Sequence, residues 1–173
     1  PTPEGIEVCR DYHIQMPMQS AFIGWKQEPD DYLEHILGHD RLEKLNPIRT
    51  FRDNNIVVSF GSDAPCTTPD PIVWMDRAVN NDNAGQAVSV QDALRMCTYN
   101  GAWAAFDEQE RGSLEAGKIA DMAVLSENPY TVPKDKLSCL RVERLYLSGK
   151  SYESCRESIL PMMLRGLTSR NKA

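Results

Sequence analysis

A short run of β-branched and aromatic residues, Ile56-Val57-Val58-Ser59-Phe60, stops abruptly at Gly61-Ser62-Asp63-Ala64-Pro65. A continuous apolar run of that length, with no polar alternation, marks a strand buried on both faces, as in a parallel sheet. Helices follow it, so the chain reads as α/β, built from βα units. The same run fixes where chemistry can sit, because α/β folds place their sites at the carboxyl ends of their strands. Asp63 stands at that end and is the first candidate site residue. The plainer reading is that its side chain caps its own turn, as Ser-Asp before proline often does.

The rest of the chain supplies companions for this strand. Residues 3–12 follow a proline start and carry a partial apolar stripe of Ile6, Val8 and Cys9, which predicts a short helix. His13 to Gln19 alternate apolar and polar residues, a strand period that Pro17 limits to an irregular strand or a strand end. Asp30 is positioned to cap a helix carrying Tyr32, Leu33, Ile36 and Leu37 before Gly38 interrupts it, and a second helical piece is predicted over 48–53. Asn54-Asn55 makes a turn before the central strand. A proline-rich loop then leads to a helix over 72–79.

Ser89 caps the clearest helix, predicted over 90 to about 99, with Val90, Ala93, Leu94 and Cys97 on one face. Asn100-Gly101 is expected to break it before Ala102-Trp103-Ala104-Ala105. The period then switches to that of strands over 121–125 and 142–147, with Ser148-Gly149-Lys150 as a turn. Residues 153–167 form a helix candidate that Pro161 weakens, and the last five residues are expected to fray.

Composition narrows the function classes. A formal charge of -6 offers no basic face for a phosphate backbone, so no nucleic-acid partner is expected. No apolar run reaches the roughly 18 residues of a membrane span, so no membrane association is expected. The five cysteines are odd in number and contain no Cys-x-x-Cys pair, which fits reduced thiols in a cytoplasmic protein.

Gly61-Ser62-Asp63-Ala64-Pro65, followed by Asp70-Pro71, resembles the last barrel strand of family-3 amidohydrolases, relatives of N-substituted formamide deformylase. A second block agrees. Residues 89–105, then Gly112-Ser113-Leu114-Glu115-Ala116-Gly117-Lys118-Ile119-Ala120-Asp121-Met122-Ala123-Val124-Leu125, resemble the stretch by which these enzymes leave the barrel and re-enter a small β-domain. The resemblance covers about 15–147, and the tail from Ser151 departs from it.

The resemblance implies a TIM-type (β/α)8 barrel holding one or two divalent metals, usually zinc, through a His-x-His pair, further mid-barrel ligands and a last-strand aspartate. Asp63 would then be both metal ligand and catalytic residue, taking a proton from metal-bound water and passing it to the leaving nitrogen. Ser62 and Ala64 would shape its loop beside the substrate. Gln19, at the end of the strand matched to the seventh of the family, would border the substrate space, although here Ser20 follows it where the family commonly has proline.

The histidines are His13, His35 and His39, with no His-x-His among them. A barrel of this type also needs roughly 250 residues. The chain is therefore expected to be a C-terminal fragment: a partial barrel of about strands 7 and 8 over 1–110, strands of a composite small β-domain over 111–150, and a helical tail over 151–173. The intact parent would use a divalent metal, zinc, to hydrolyse carbon-nitrogen bonds of small amide-type substrates. The fragment alone would be inactive and bind no metal.

Other features read as structural. His35 and His39 have a zinc-compatible i, i+4 spacing but no third ligand, and fit a solvated helix face. Gly149-Lys150-Ser151 lacks the glycine a phosphate loop needs, since Arg144 holds that place, and Gly117-Lys118 is a turn. Trp25, Trp74 and Trp103 are too dispersed for a base-stacking platform and suit core packing. A non-catalytic regulatory or interaction domain derived from an amidohydrolase is the alternative. With few strands, uncovered edges are expected to drive self-association.

Overall fold

A computed structural model describes residues 1–24 and 32–152. The Asp30 cap, Trp25 and the helix over 153–167 with its frayed end lie outside the described residues.

The chain opens with α1 (Pro3–Asp11), where Pro3 starts the helix and the Thr2 hydroxyl accepts from the Gly5 amide at 3.1 Å. β1 (Met16–Met18) follows, shorter than the alternation suggested because the His13 and Ile14 amides donate to the Arg10 and Cys9 carbonyls at the end of α1. Three helices lead to the next strand: α2 (Tyr32–Leu37), α3 (His39–Leu42) and α4 (Ile48–Asp53). Gly38, at φ 74°, separates the first two as the sequence implied.

β2 (Val58–Phe60) lies parallel to β1, with Met16 opposite Val58 and Met18 opposite Phe60. Within its run Ile56, Val58 and Ser59 are buried, Val58 at 1% exposure, whereas Val57 and Phe60 stay partly exposed, so the strand is less fully covered than the sequence predicted. α5 (Pro71–Val79) starts on proline, and the Asp70 carboxylate accepts from the Ile72 amide at 2.9 Å. α6 (Val90–Cys97) begins with a full capping box between Ser89 and Asp92. Ile48, Phe51, Val58, Met75, Ala78, Ala93 and Met96 form the centre of one apolar core. Val90, Leu94 and Cys97 sit at its margin, so Met96 is the inward residue that the sequence stripe left out.

The expected break at Asn100-Gly101 falls earlier. The helix stops at Thr98 (φ -123°, ψ -90°), whose hydroxyl donates to the Leu94 carbonyl at 2.7 Å. α7 (Tyr99–Ala104) then carries Asn100 and Gly101 inside it. The earlier break has a physical cause: the Thr98 side chain competes for the helix carbonyl, while the Asn100 amide is spent on β2, donating to the Val58 carbonyl at 2.7 Å.

β3 (Met122–Leu125), β4 (Val142–Leu147) and β5 (Lys150–Tyr152) form a separate antiparallel sheet. Ser148 and Gly149 make the hairpin turn with positive φ, tied to the segment that enters β3 by Ser148 N–H to Asp121 Oδ1 at 2.8 Å and Gly149 N–H to the Ala120 carbonyl at 2.9 Å. Ser151 and Tyr152 belong to this sheet, so a helical tail begins no earlier than 153. Among the described residues, no helix is long and apolar enough to cross a membrane.

Candidate functional site

The parallel register sets the site's frame. Because Met18 faces Phe60 and the Gly61 amide donates to the Met18 carbonyl at 3.0 Å, Gln19 and the Gly61–Asp63 segment leave the sheet side by side at its carboxyl edge. That edge is the one an α/β fold uses for ligands.

Asp63 occupies a tight turn with φ 54°. Its carbonyl accepts from the Cys66 amide at 2.9 Å, across a cis Ala64-Pro65 peptide. The side chain that braces the turn is Ser62, whose Oγ accepts from the Ala64 amide at 3.1 Å. Among the described residues the Asp63 carboxylate makes no hydrogen bond or ion pair, and the residue is exposed. The local capping role that sequence reasoning held open for Asp63 is thus performed by its neighbour.

Gln19 is exposed, its carbonyl accepting from the Phe22 amide at 3.1 Å at the start of a single 3₁₀ turn (Ser20–Phe22). Ala64 is exposed on the same turn as Asp63. His35 and His39 lie on separate helices, and His39 pairs instead with Glu34 at 3.2 Å and Glu43 at 3.5 Å on an exposed surface. Among the described residues, no three His, Cys, Asp or Glu side chains converge on a point where a metal could sit.

Sequence reasoning passed over the groups that hold this edge. The buried polar side chains among the described residues are Ser20, Ser59 and Thr67, and all three belong to β2 or to the loops leaving β1 and β2. Ser20 donates to the Trp74 carbonyl at 2.9 Å, and the Thr67 hydroxyl donates to the Ser62 carbonyl. Trp74, half-buried, donates its indole N–H to the Thr68 carbonyl at 3.0 Å. Its polar handle was the one available signal, since a packed tryptophan seeks a partner for that N–H.

At the opposite end of β2, Arg52 pairs with Asp53 and with Asp92 beside a cleft of about 400 Å³ lined also by Tyr99, Asn100 and Trp103. Burial alone would raise the Asp92 carboxyl, but hydrogen bonds from Ser89 and Arg52 outweigh it and hold the group below its ordinary range. Cys97, by contrast, is pushed up to about 12 by burial, which leaves an unreactive thiol. Cys9, Cys66, Cys97 and Cys139 are unpaired.

With the fold and this edge established, comparison gives the class. The amidohydrolase family model matches residues 6–152, and the chain belongs to that family. It is 34% identical over 152 residues to the N-substituted formamide deformylase of Arthrobacter pascens, a match covering 84% of this chain and 26% of that enzyme. A metal-dependent hydrolase structure from Pyrococcus horikoshii superposes with a TM-score of 0.64 at 22% identity, over 78% of this chain and 28% of that one. An adenosine deaminase of Xanthomonas campestris, solved with bound zinc, gives 0.63 at 18% identity, over 98% of this chain and 40% of that one. The chain thus spans about a quarter of the length of the curated relative.

Proposed function

We propose that this chain is the C-terminal part of a metal-dependent amidohydrolase whose intact form hydrolyses carbon-nitrogen bonds, other than peptide bonds, in small amide-type molecules. In this reading β1 and β2 are about the seventh and eighth strands of a (β/α)8 barrel, with the partial barrel over 1–110 and the small β-domain beginning near 111. The observation that carries it is the uncommitted Asp63 carboxylate at the carboxyl edge of a buried parallel strand, in a chain belonging to a hydrolase family.

Asp63 can offer one oxygen donor to a divalent cation, zinc by analogy with the deaminase structure. One carboxylate does not make a metal centre, and the described residues do not fit one by themselves. A carboxylate held free of its own turn can accept a proton from an attacking water and release it to a departing nitrogen. Gln19, Ser62 and Ala64 border the same edge and would face substrate. The unpaired thiols support a cytoplasmic, reducing setting.

Two observations would test this. A polypeptide extended upstream should bind one or two zinc ions and turn over an amide, with Asp63→Asn lowering kcat by at least about a hundredfold. The 173-residue chain should bind little metal and show no turnover. Stoichiometric zinc on the short chain, or full activity in Asp63→Asn, would overturn the proposal. The exposed outer edge of a two-stranded sheet also leads us to expect self-association of the short chain, which light scattering measures.

A further inference from the structure

Trp74 touches both loops that leave the parallel strands. Its backbone carbonyl accepts the Ser20 hydroxyl at 2.9 Å, next to Gln19, and its indole N–H donates to the Thr68 carbonyl at 3.0 Å. One residue along, buried Thr67 donates its hydroxyl to the Ser62 carbonyl, the peptide that enters Asp63. A continuous path therefore runs from Ser20 through Trp74 to Thr68, Thr67, Ser62 and Asp63. Burying a hydroxyl costs free energy unless it is bonded, so Ser20 (1% exposed) and Thr67 (9% exposed) hold their loops to these partners.

We propose that Trp74 is a positioning residue that couples the Gln19 loop to the Asp63 turn, so that disturbing either loop loosens both. The proposal rests on the reading of Asp63 as the site residue. Its physical basis is that α5, which carries Trp74, is anchored in the core by Met75 (2% exposed) and Ala78 (0% exposed). The helix is the fixed body and the two loops are fastened to the same residue of it.

The test uses amide hydrogen exchange and carbon chemical shifts on the 173-residue chain. The Cys66 amide, bonded to the Asp63 carbonyl, reports the turn, and the Ile23 amide, bonded to the Ser20 carbonyl, reports the other loop. The Val88 amide, bonded to the Ala78 carbonyl, is the control. Trp74→Phe keeps an aromatic ring and deletes the indole N–H. It should speed exchange at Cys66 and Ile23 by about threefold to tenfold, leave Val88 unchanged, and move the Asp63 Cα and Cβ shifts away from left-handed values.

Ser20→Ala should speed the same two amides from the opposite end of the path. Loosening confined to the substituted loop, or a lowered melting temperature with the Asp63 shifts unmoved, would overturn the coupling. Should Trp74→Phe fail to fold, Ser20→Ala alone decides through the Cys66 amide. Failure of the site reading shows elsewhere: an extended enzyme that keeps its activity in Asp63→Asn discards the hydrolytic role of Asp63 while these exchange rates stand.

Discussion

The two sheets of this protein are held by different forces. β2 is covered by α4, α6 and α7, with Val58 and Ser59 almost fully withdrawn from water. The antiparallel sheet keeps half-exposed apolar side chains at Val124, Val142, Leu147 and Tyr152, and it rests on local devices: the hairpin turn, the Asp121 bond to Ser148, and Arg111 reaching Asp121 at 3.2 Å. One sheet exists because helices bury it, the other because its strands are neighbours in sequence and pair directly.

That contrast can be broken most directly in the core. Met75→Ala should cost about 2–5 kcal/mol in chemical denaturation, whereas Leu147→Ala should cost under about 1 kcal/mol. Equal losses would show that the small sheet is as tightly packed as the core. Next in size is Gly112→Ala, between the two regions. Gly112 has φ +88°, and an added Cβ would lie 2.6 Å from the Ala102 Cβ and 3.0 Å from the Tyr99 Cα. Strain and overlap together predict a loss of about 2–4 kcal/mol, read from the shift in denaturation midpoint.

Smaller effects sharpen the picture on the core side. Ser89→Ala removes the capping box of α6 and should cost about 1 kcal/mol. The Asp92 carboxyl is lowered in the folded state relative to 3.8, so its contribution is present above that value and is lost as pH falls through the lower folded value. Acid unfolding below about pH 4 should therefore be shallower in Asp92→Asn, by fluorescence-monitored titration. Asp63→Asn comes last, with a stability change within about 0.5 kcal/mol, because the carboxylate serves no structural bond among the described residues. A large loss there would mean that the turn needs the charge, against the reading of Asp63 as a site residue.

Much of this was legible in the residues. The Ser89 cap, the helix over 48–53 and the Ser148-Gly149 turn follow from local chemistry, and the central strand shows in its apolar run. The family was legible too, in the Gly61-Ser62-Asp63-Ala64-Pro65 block and in residues 112–125. The helix break was misplaced by two residues because Asn100 looks like a stop signal until its amide is seen bound to Val58, 42 positions away.

The sequence alone determined which segments could be strands and helices, and that Asp63 would stand at a strand's carboxyl end, since these depend on residue type and short-range spacing. Only the tertiary structure decided the register in which β1 and β2 pair, and that Trp74 joins the loops beyond them. Those facts rest on hydrogen bonds between residues as far apart as Ser20 and Trp74. Such bonds form only after the core has brought distant segments together, so no local pattern encodes them.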